Sequence, residues 1–253
     1  MTRLILALAI ASLTVQLSAQ TRNITNTRSS DEYGSGGSFS IGPRISNYST
    51  DVDYAGIEID SGRQSSFGLT GDYRNGAFVL DFLYDHDPEN GISVVDLIPI
   101  EFGDYSRDRA EVTIGYSIAP MFDVQGGVRI DQISLGGRAT GGGFFDGQDV
   151  EHQALTAGVR FHTVDRPGAL GAYVLGRGYL GTTGFGDGGF FDDSNDNQID
   201  ATGFRAEAGV SIPLGNSNWR LVPAVEIERI ETDNDFLRLD TNRLMLSFIY
   251  RMR

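Results

Sequence analysis

What most constrains this chain is an alternation of apolar and polar residues with a period of two, and its last stretch shows it most cleanly. From Asn242 to Arg253, Leu244, Leu246, Phe248, Tyr250 and Met252 fall on one parity, and Met245, Ser247, Ile249, Arg251 and Arg253 on the other. That period belongs to a β-strand, and about eleven residues is roughly what a tilted strand needs to cross a bilayer. One face is continuously apolar, and the other carries arginine and serine. In a water-soluble sandwich the polar face of such a strand looks at solvent. In a membrane barrel the apolar face looks at lipid and the polar face at the lumen.

The bulk composition leaves both options open and closes others. The 253 residues suffice for one large β domain or two ordinary ones. A mean hydropathy of −0.18 excludes a bundle of membrane helices but not a barrel, whose strands carry apolar residues only at alternate positions. The absence of cysteine rules out disulfides and thiolate metal sites. A net charge of −14 argues against nucleic acid as a partner. Residues 1–19 read as an export signal: Arg3 before an apolar run, Leu4 to Val15, then Leu17-Ser18-Ala19 as a cleavage site. Residues 20–37 are polar and read as a disordered lead-in. The remaining residues, 38–253, form the folded part.

From Ser38 onward the pattern is strand, punctuation, strand, with no convincing amphipathic helix. The first strand is expected over Ser38 to Ser46, with Pro43 marking a bulge. Ile57, Ile59, Phe67, Leu69 and Tyr73 share one parity and predict a long second strand that rises above the membrane. Asn75-Gly76 is a strong hairpin signal before the third strand, Ala77 to Asp85. The connection His86 to Asp108 holds an apolar piece, Ile92 to Phe102, expected to be a loop hairpin or an inward flap. Further strands follow at Ala110–Ala119, Phe122–Leu135, Leu155–His162, Ala169–Gly181, Phe204–Ile212, Trp219–Glu228 and the terminal stretch. The count is about ten, eight and twelve being the neighbouring even numbers.

Connections alternate between tight turns, near Asn75, Pro120, Pro167 and Asn216, and longer polar loops. Phe122, Phe161, Trp219, Phe78 and Tyr73 lie beside the tight turns, as interface girdles do. The expected fold class is therefore all-β: one closed, antiparallel, up-and-down transmembrane barrel. In this architecture the chain resembles the small outer-membrane β-barrel proteins of Gram-negative bacteria, over about Ser38 to Arg253. The resemblance implies an outer-membrane location, contact with lipid and lipopolysaccharide, and insertion by the barrel-assembly machinery. Members of that family usually end on an aromatic residue, whereas here Tyr250 is followed by Arg251-Met252-Arg253.

Four sets of residues carry candidate function. The inward parity holds Asp81, Asp85, Glu111, Asp123, Arg129, Asp131, Arg160, Arg177, Arg205, Glu207, Arg220, Glu226, Glu228 and Arg251. In a narrow barrel these form either a charged constriction that passes small solutes or ions, as in a porin, or a salt-bridged filling that only stabilises. A repeated G-G-F-F-D element, Gly142–Asp146 and Gly188–Asp192, puts Phe144, Phe145, Phe190 and Phe191 in two long loops. They would cap the mouth or, in a surface adhesin, contact a partner. Asp192 to Asp200 alternates Asp and Asn, the hard oxygen ligands calcium prefers, but Gln198 and Phe204 stand where an EF-hand needs glycine and glutamate. A rim hydrolase like the omptins, which the resemblance brings with it, would use Asp85, Asp87 and His152, although the Asp-x-His spacing of that family is missing. With no zinc or G-x-S-x-G signature either, the expectation is a protein without catalytic residues, metal or cofactor.

Overall fold

The computed structural model describes residues 37–54, 57–60, 64–90, 100–101, 105–135, 138–139, 148–163, 169–185, 198–215, 217–234 and 237–252. The signal segment, nearly all of the lead-in, both G-G-F-F-D elements, the Pro167 turn, residue 253 and most of the Ile92 to Phe102 piece lie outside them. So does the acidic stretch up to Asn197.

The described residues form β1 (Ser38–Tyr54), β2 (Ile57–Asp60), β3 (Gln64–Asn75), β4 (Phe78–Asn90), β5 (Ile100–Glu101), β6 (Tyr105–Ala119) and β7 (Phe122–Leu135). They continue with β8 (Arg138–Ala139), β9 (Gln148–His162), β10 (Gly171–Phe185), β11 (Gln198–Pro213), β12 (Trp219–Thr232) and β13 (Leu237–Met252). Ten long strands pair in the order β13-β12-β11-β10-β9-β7-β6-β4-β3-β1, and β13 then pairs with β1. Every one of these pairings is antiparallel. The sheet thus closes on itself as an up-and-down barrel, and no helix is present among the described residues. Closure removes the unpaired edges that an open sheet would expose.

The alternation in the sequence sets which way each side chain points. Leu155, Leu180 and Leu244 stand on the outside at 69%, 69% and 63% exposure, whereas Arg109 and Asp131 in the lumen are at 0%. This polarity is the inverse of a water-soluble protein's. A second stacked sheet, the alternative that would bury those leucines, does not occur among the described residues. At the tight-turn end aromatic rings cluster around the barrel: Phe122 edge-on to Phe161 at 4.5 Å, and Trp219 stacked on Phe248 at 4.7 Å with Tyr250 at 4.8 Å. Gly76 closes the β3–β4 turn at φ 60°, a left-handed conformation that costs a residue with a Cβ.

The structure corrects the expected first and second strands. Pro43 makes no bulge: Ile41 opposite Tyr250 and Arg44 opposite Ser247 keep one register on the β13 side, and Pro43 itself faces Leu69 of β3. The ladder to β13 lapses only at Gly42 and Pro43, where proline has no N–H to give. β1 also runs eight residues beyond Ser46, to Tyr54. The predicted long second strand is two segments, β2 and β3. Asp60 lies opposite Asp51 but Gln64 opposite Tyr48, so three steps along β1 match four along its partner. A shift of one residue exchanges the two faces of a strand, so the alternation of β3 does not run on unbroken into β2. Ile100–Glu101, within the expected flap, pairs with Arg138–Ala139 in a ladder separate from the barrel sheet.

Candidate functional site

Inward positions on ten strands bring nine arginines and nine carboxylates into one connected set of ion pairs. The arginines are Arg44, Arg74, Arg107, Arg109, Arg129, Arg160, Arg177, Arg205 and Arg243. The acids are Asp72, Asp81, Asp85, Asp87, Glu111, Asp123, Asp131, Glu226 and Glu228. Formal charge therefore cancels within the network. That balance matters, because a buried ion left without a partner costs several kcal/mol, of order 3–5 when one member of a pair is removed.

The ion pairs run across the barrel as well as along its wall. β6 and β12 are five steps apart round the ring by either route, so they stand opposite one another. From β6, Arg109 donates to Glu226 at 2.9 Å and Glu228 at 3.0 Å on β12, and also to Asp85 on β4. Arg107 donates to Glu228 at 2.7 Å and to Asp131 at 2.8 Å. Arg129 on β7 reaches Glu228 at 2.6 Å, and Arg243 on β13 reaches Asp87 on β4 at 2.8 Å. Nearer the tight turns, Glu111 accepts from Arg205 at 2.8 Å and also from Arg177. Asp123 is clasped by Arg74 at 2.7 Å and Arg160 at 3.1 Å. Guanidinium groups suit this work because their planar fork binds carboxylates at two points and never loses its charge.

Toward the long-loop end the filling changes character. One inward position beyond Glu228 on β12 is Ile230, beyond Asp131 on β7 is Ile133, and beyond His152 on β9 is Val150. With Val52, Leu237 and Leu239 these side chains are buried to 1–2% exposure. Val52 lies opposite Leu239, Leu239 opposite Ile230, and Ile133 opposite Val150, so they form an apolar layer above the charges.

Most of the inward charges expected from sequence are members of the network: Asp81, Asp85, Glu111, Asp123, Arg129, Asp131, Arg160, Arg177, Arg205, Glu226 and Glu228. Three others have different partners. Glu207 accepts from the Tyr173 hydroxyl at 2.5 Å, Arg220 donates to the Ser211 hydroxyl and the Ala169 carbonyl, and Arg251 donates to the Ser38 hydroxyl. Seven members lie beyond the sequence expectation: Arg44, Asp72, Arg74, Asp87, Arg107, Arg109 and Arg243. Arg107 and Arg109 have the parity of Glu111 but precede the expected strand start at Ala110. Arg243 has the parity of Met245 and Ser247, and that parity is the signal that finds it.

The residues weighed for a hydrolase are otherwise engaged. Asp85 accepts from Arg44 and Arg109, Asp87 from Arg243, and His152 Nδ1 bonds Thr183 at 3.2 Å, so these three form no Asp–His pair. A different His–Asp pair sits on the outer surface above the apolar belt, His86 Nδ1 to Asp108 at 2.9 Å, with the Tyr84 hydroxyl donating to the same oxygen. Phe144, Phe145, Phe190 and Phe191 lie outside the described residues.

A closed ring of ten antiparallel strands, greasy outside and charged within, defines the class: this is a transmembrane β-barrel of the outer-membrane type found in Gram-negative bacteria. Among solved structures it is similar to the translocator domain of autotransporter NalP from Neisseria meningitidis, at 14% identity over 96% of this chain and 98% of that one, with a TM-score of 0.44. It is also similar to outer membrane protease OmpT from Escherichia coli (7% identity, 85% and 96% covered, TM-score 0.43) and to Neisserial surface protein A (10%, 85% and 98%, 0.41). These are likenesses of fold. No protein-family model matches the chain, and no curated protein matches it in sequence.

Proposed function

We propose that this protein is a non-conducting outer-membrane barrel, a plugged scaffold whose long-loop end is its working surface and which catalyses no reaction. The observation that carries this reading is Arg109: it spans the lumen from β6 to Glu226 and Glu228 on the opposite wall while being 0% exposed. A hydrated pore would leave the guanidinium accessible to water. The apolar layer of Val52, Ile133, Val150, Ile230, Leu237 and Leu239 supports the same reading from the long-loop side. In this scheme the tight turns and both ends of the barrel chain face the periplasm, the long loops face outward, and the terminal strand with Tyr250 is what the assembly machinery engages.

The test is conductance in planar lipid bilayers with the folded full-length protein. The expected result is insertion without ion current. Steady unitary steps carried by small solutes or ions would establish the porin alternative instead. A surface-interaction role is favoured by the twice-repeated G-G-F-F-D element. Binding of protein-bearing vesicles to host or bacterial surfaces should fall on deleting Gly142–Asp146 and Gly188–Asp192, and unchanged binding would show that those loops take no part.

A further inference from the structure

The barrel wall has two weak lines, and they flank one hairpin. Among the described residues, the ladders between the long strands lapse at four places. Two are at strand ends: between Asp87 and Asn90 at the long-loop end, and between Ser117 and Ala119 beside a tight turn. The other two lie in the body of the wall, and each sits at a proline. On the closing seam, Ile41 lies opposite Tyr250 and Arg44 opposite Ser247, with Gly42 and Pro43 unpaired to β13 between them. Between β11 and β12, Gly209 lies opposite Ala224 and Ile212 opposite Leu221, with Val222 and Pro223 in the gap on the β12 side. Register is kept across both. β12 and β13 pair with each other without a break, so they form a hairpin whose two outer ladders are both interrupted. The interruptions are close in depth, because Pro223 faces Leu246 and Pro43 falls at the rung of Phe248, two residues along β13.

Proline gives a ladder no N–H, and each lapse covers the two rungs that one such bond would serve in an antiparallel pair. The carbonyls opposite, of Phe248 and Val210, lose that donor in the outward apolar belt, where hydrocarbon supplies no other. Gly42 softens the loss at the seam. A Cβ there would stand 2.0 Å from the Phe248 oxygen, so its α-carbon lies against that carbonyl and offers a C–H, a weaker donor. The side chains divide the hairpin at the same depth. On the long-loop side it is latched, with Glu226 and Glu228 taking hydrogen bonds from Arg107, Arg109 and Arg129. Beside the prolines, Val222, Ala224, Met245 and Ser247 fill the lumen face and bring no charge. We propose that the tight-turn half of the β12–β13 hairpin is a panel that opens as a unit before the rest of the barrel unfolds, while its long-loop half stays latched to the ion pairs. Local opening takes the segment with the fewest bonds to break. It joins the tight-turn side of the lumen to the bilayer and leaves the seal at Glu226 and Glu228 closed.

Hydrogen exchange in the folded full-length protein in detergent micelles tests this. The amides of Leu221, Val222 and Ala224 and of residues 247–250 should exchange about tenfold faster, or more, than those of residues 159–162 and 173–176 on the unbroken β9–β10 ladder. Pro43→Val and Pro223→Val each return an N–H and set an ordinary strand residue against lipid. Each should slow exchange in the panel roughly fivefold, the weight of one net hydrogen bond, and leave β9 and β10 unchanged. Panel amides as slow as those of β9 and β10 in the wild type overturn the proposal. Valine variants that exchange at the wild-type rate overturn it too, and so do variants that slow both regions alike, because the opening would then be global. Exchange reads the panel whether or not ions pass the lumen, so this result and the conductance result stand apart.

Discussion

At the scale of the residue, burial decides what an ion pair is worth. Arg109 and Arg229 each pair closely with carboxylates, yet the Arg109 side chain is 0% exposed and that of Arg229 41%. Removing Arg109 takes one cation from the balanced network and leaves Asp85, Glu226 and Glu228 with one negative charge too many in a place water does not reach, although each keeps another arginine. Arg109→Ala is therefore expected to destabilise the barrel by about 3–5 kcal/mol, read from urea unfolding in vesicles. Arg229 and Arg238 share Asp240 on the outer surface, where solvent and salt screen the charges, so Arg229→Ala should leave the same midpoint unchanged. A purely backbone effect is expected at the β3–β4 turn. Gly76→Ala, at φ 60°, should cost about 1 kcal/mol in the same assay, although the added methyl group would stand in open space.

At the scale of the element, each strand is a ribbon with one face for lipid and one for the lumen, and β12 shows both. Leu221, Val225 and Ile227 look outward while Arg220, Ala224, Glu226 and Glu228 look inward. Val225 is 54% exposed, so in a water-soluble protein Val225→Arg would be close to neutral. Here the side chain meets hydrocarbon, and the substitution is expected to cost about 2–4 kcal/mol on folding into vesicles. An unaltered folding free energy would contradict the membrane assignment at its base. Gly42 and Pro43 illustrate what an element tolerates: the register of β1 against β13 passes through them unchanged because neighbouring rungs on both sides hold it.

At the scale of the whole molecule, the filling of the lumen follows from closure. Ten strands make a barrel narrow enough for long side chains from opposite walls to meet, and β6 and β12 are such a pair. Arg107 and Arg109 together supply the hydrogen bonds to Glu228 that cross the barrel from β6. The double variant Arg107→Ala with Arg109→Ala should therefore loosen the filling, and brief or noisy conductance in planar bilayers is expected from it where none is expected from the wild type. Silence from a variant shown to be inserted and folded would place the seal in the apolar layer above the charges.

Much of this architecture was legible from residue order alone, because a strand's side chains alternate strictly and the bilayer sets its length. The inward parity of Glu111, Arg129, Asp131, Glu226 and Glu228, the turn at Asn75-Gly76 and the count of ten strands all follow from that rule. What the rule cannot reach is any relation between strands distant in sequence. Arg109 and Glu226 are 117 positions apart, and they meet because the barrel closes and brings β6 opposite β12. The single-residue shift between β2 and β3 is of the same kind, since it is fixed against β1 and leaves no mark in the alternation itself. Local periodicity determined which face every strand offers; three-dimensional closure decided which charges answer one another across the lumen, because their distances are set by the tilt and diameter of the ring.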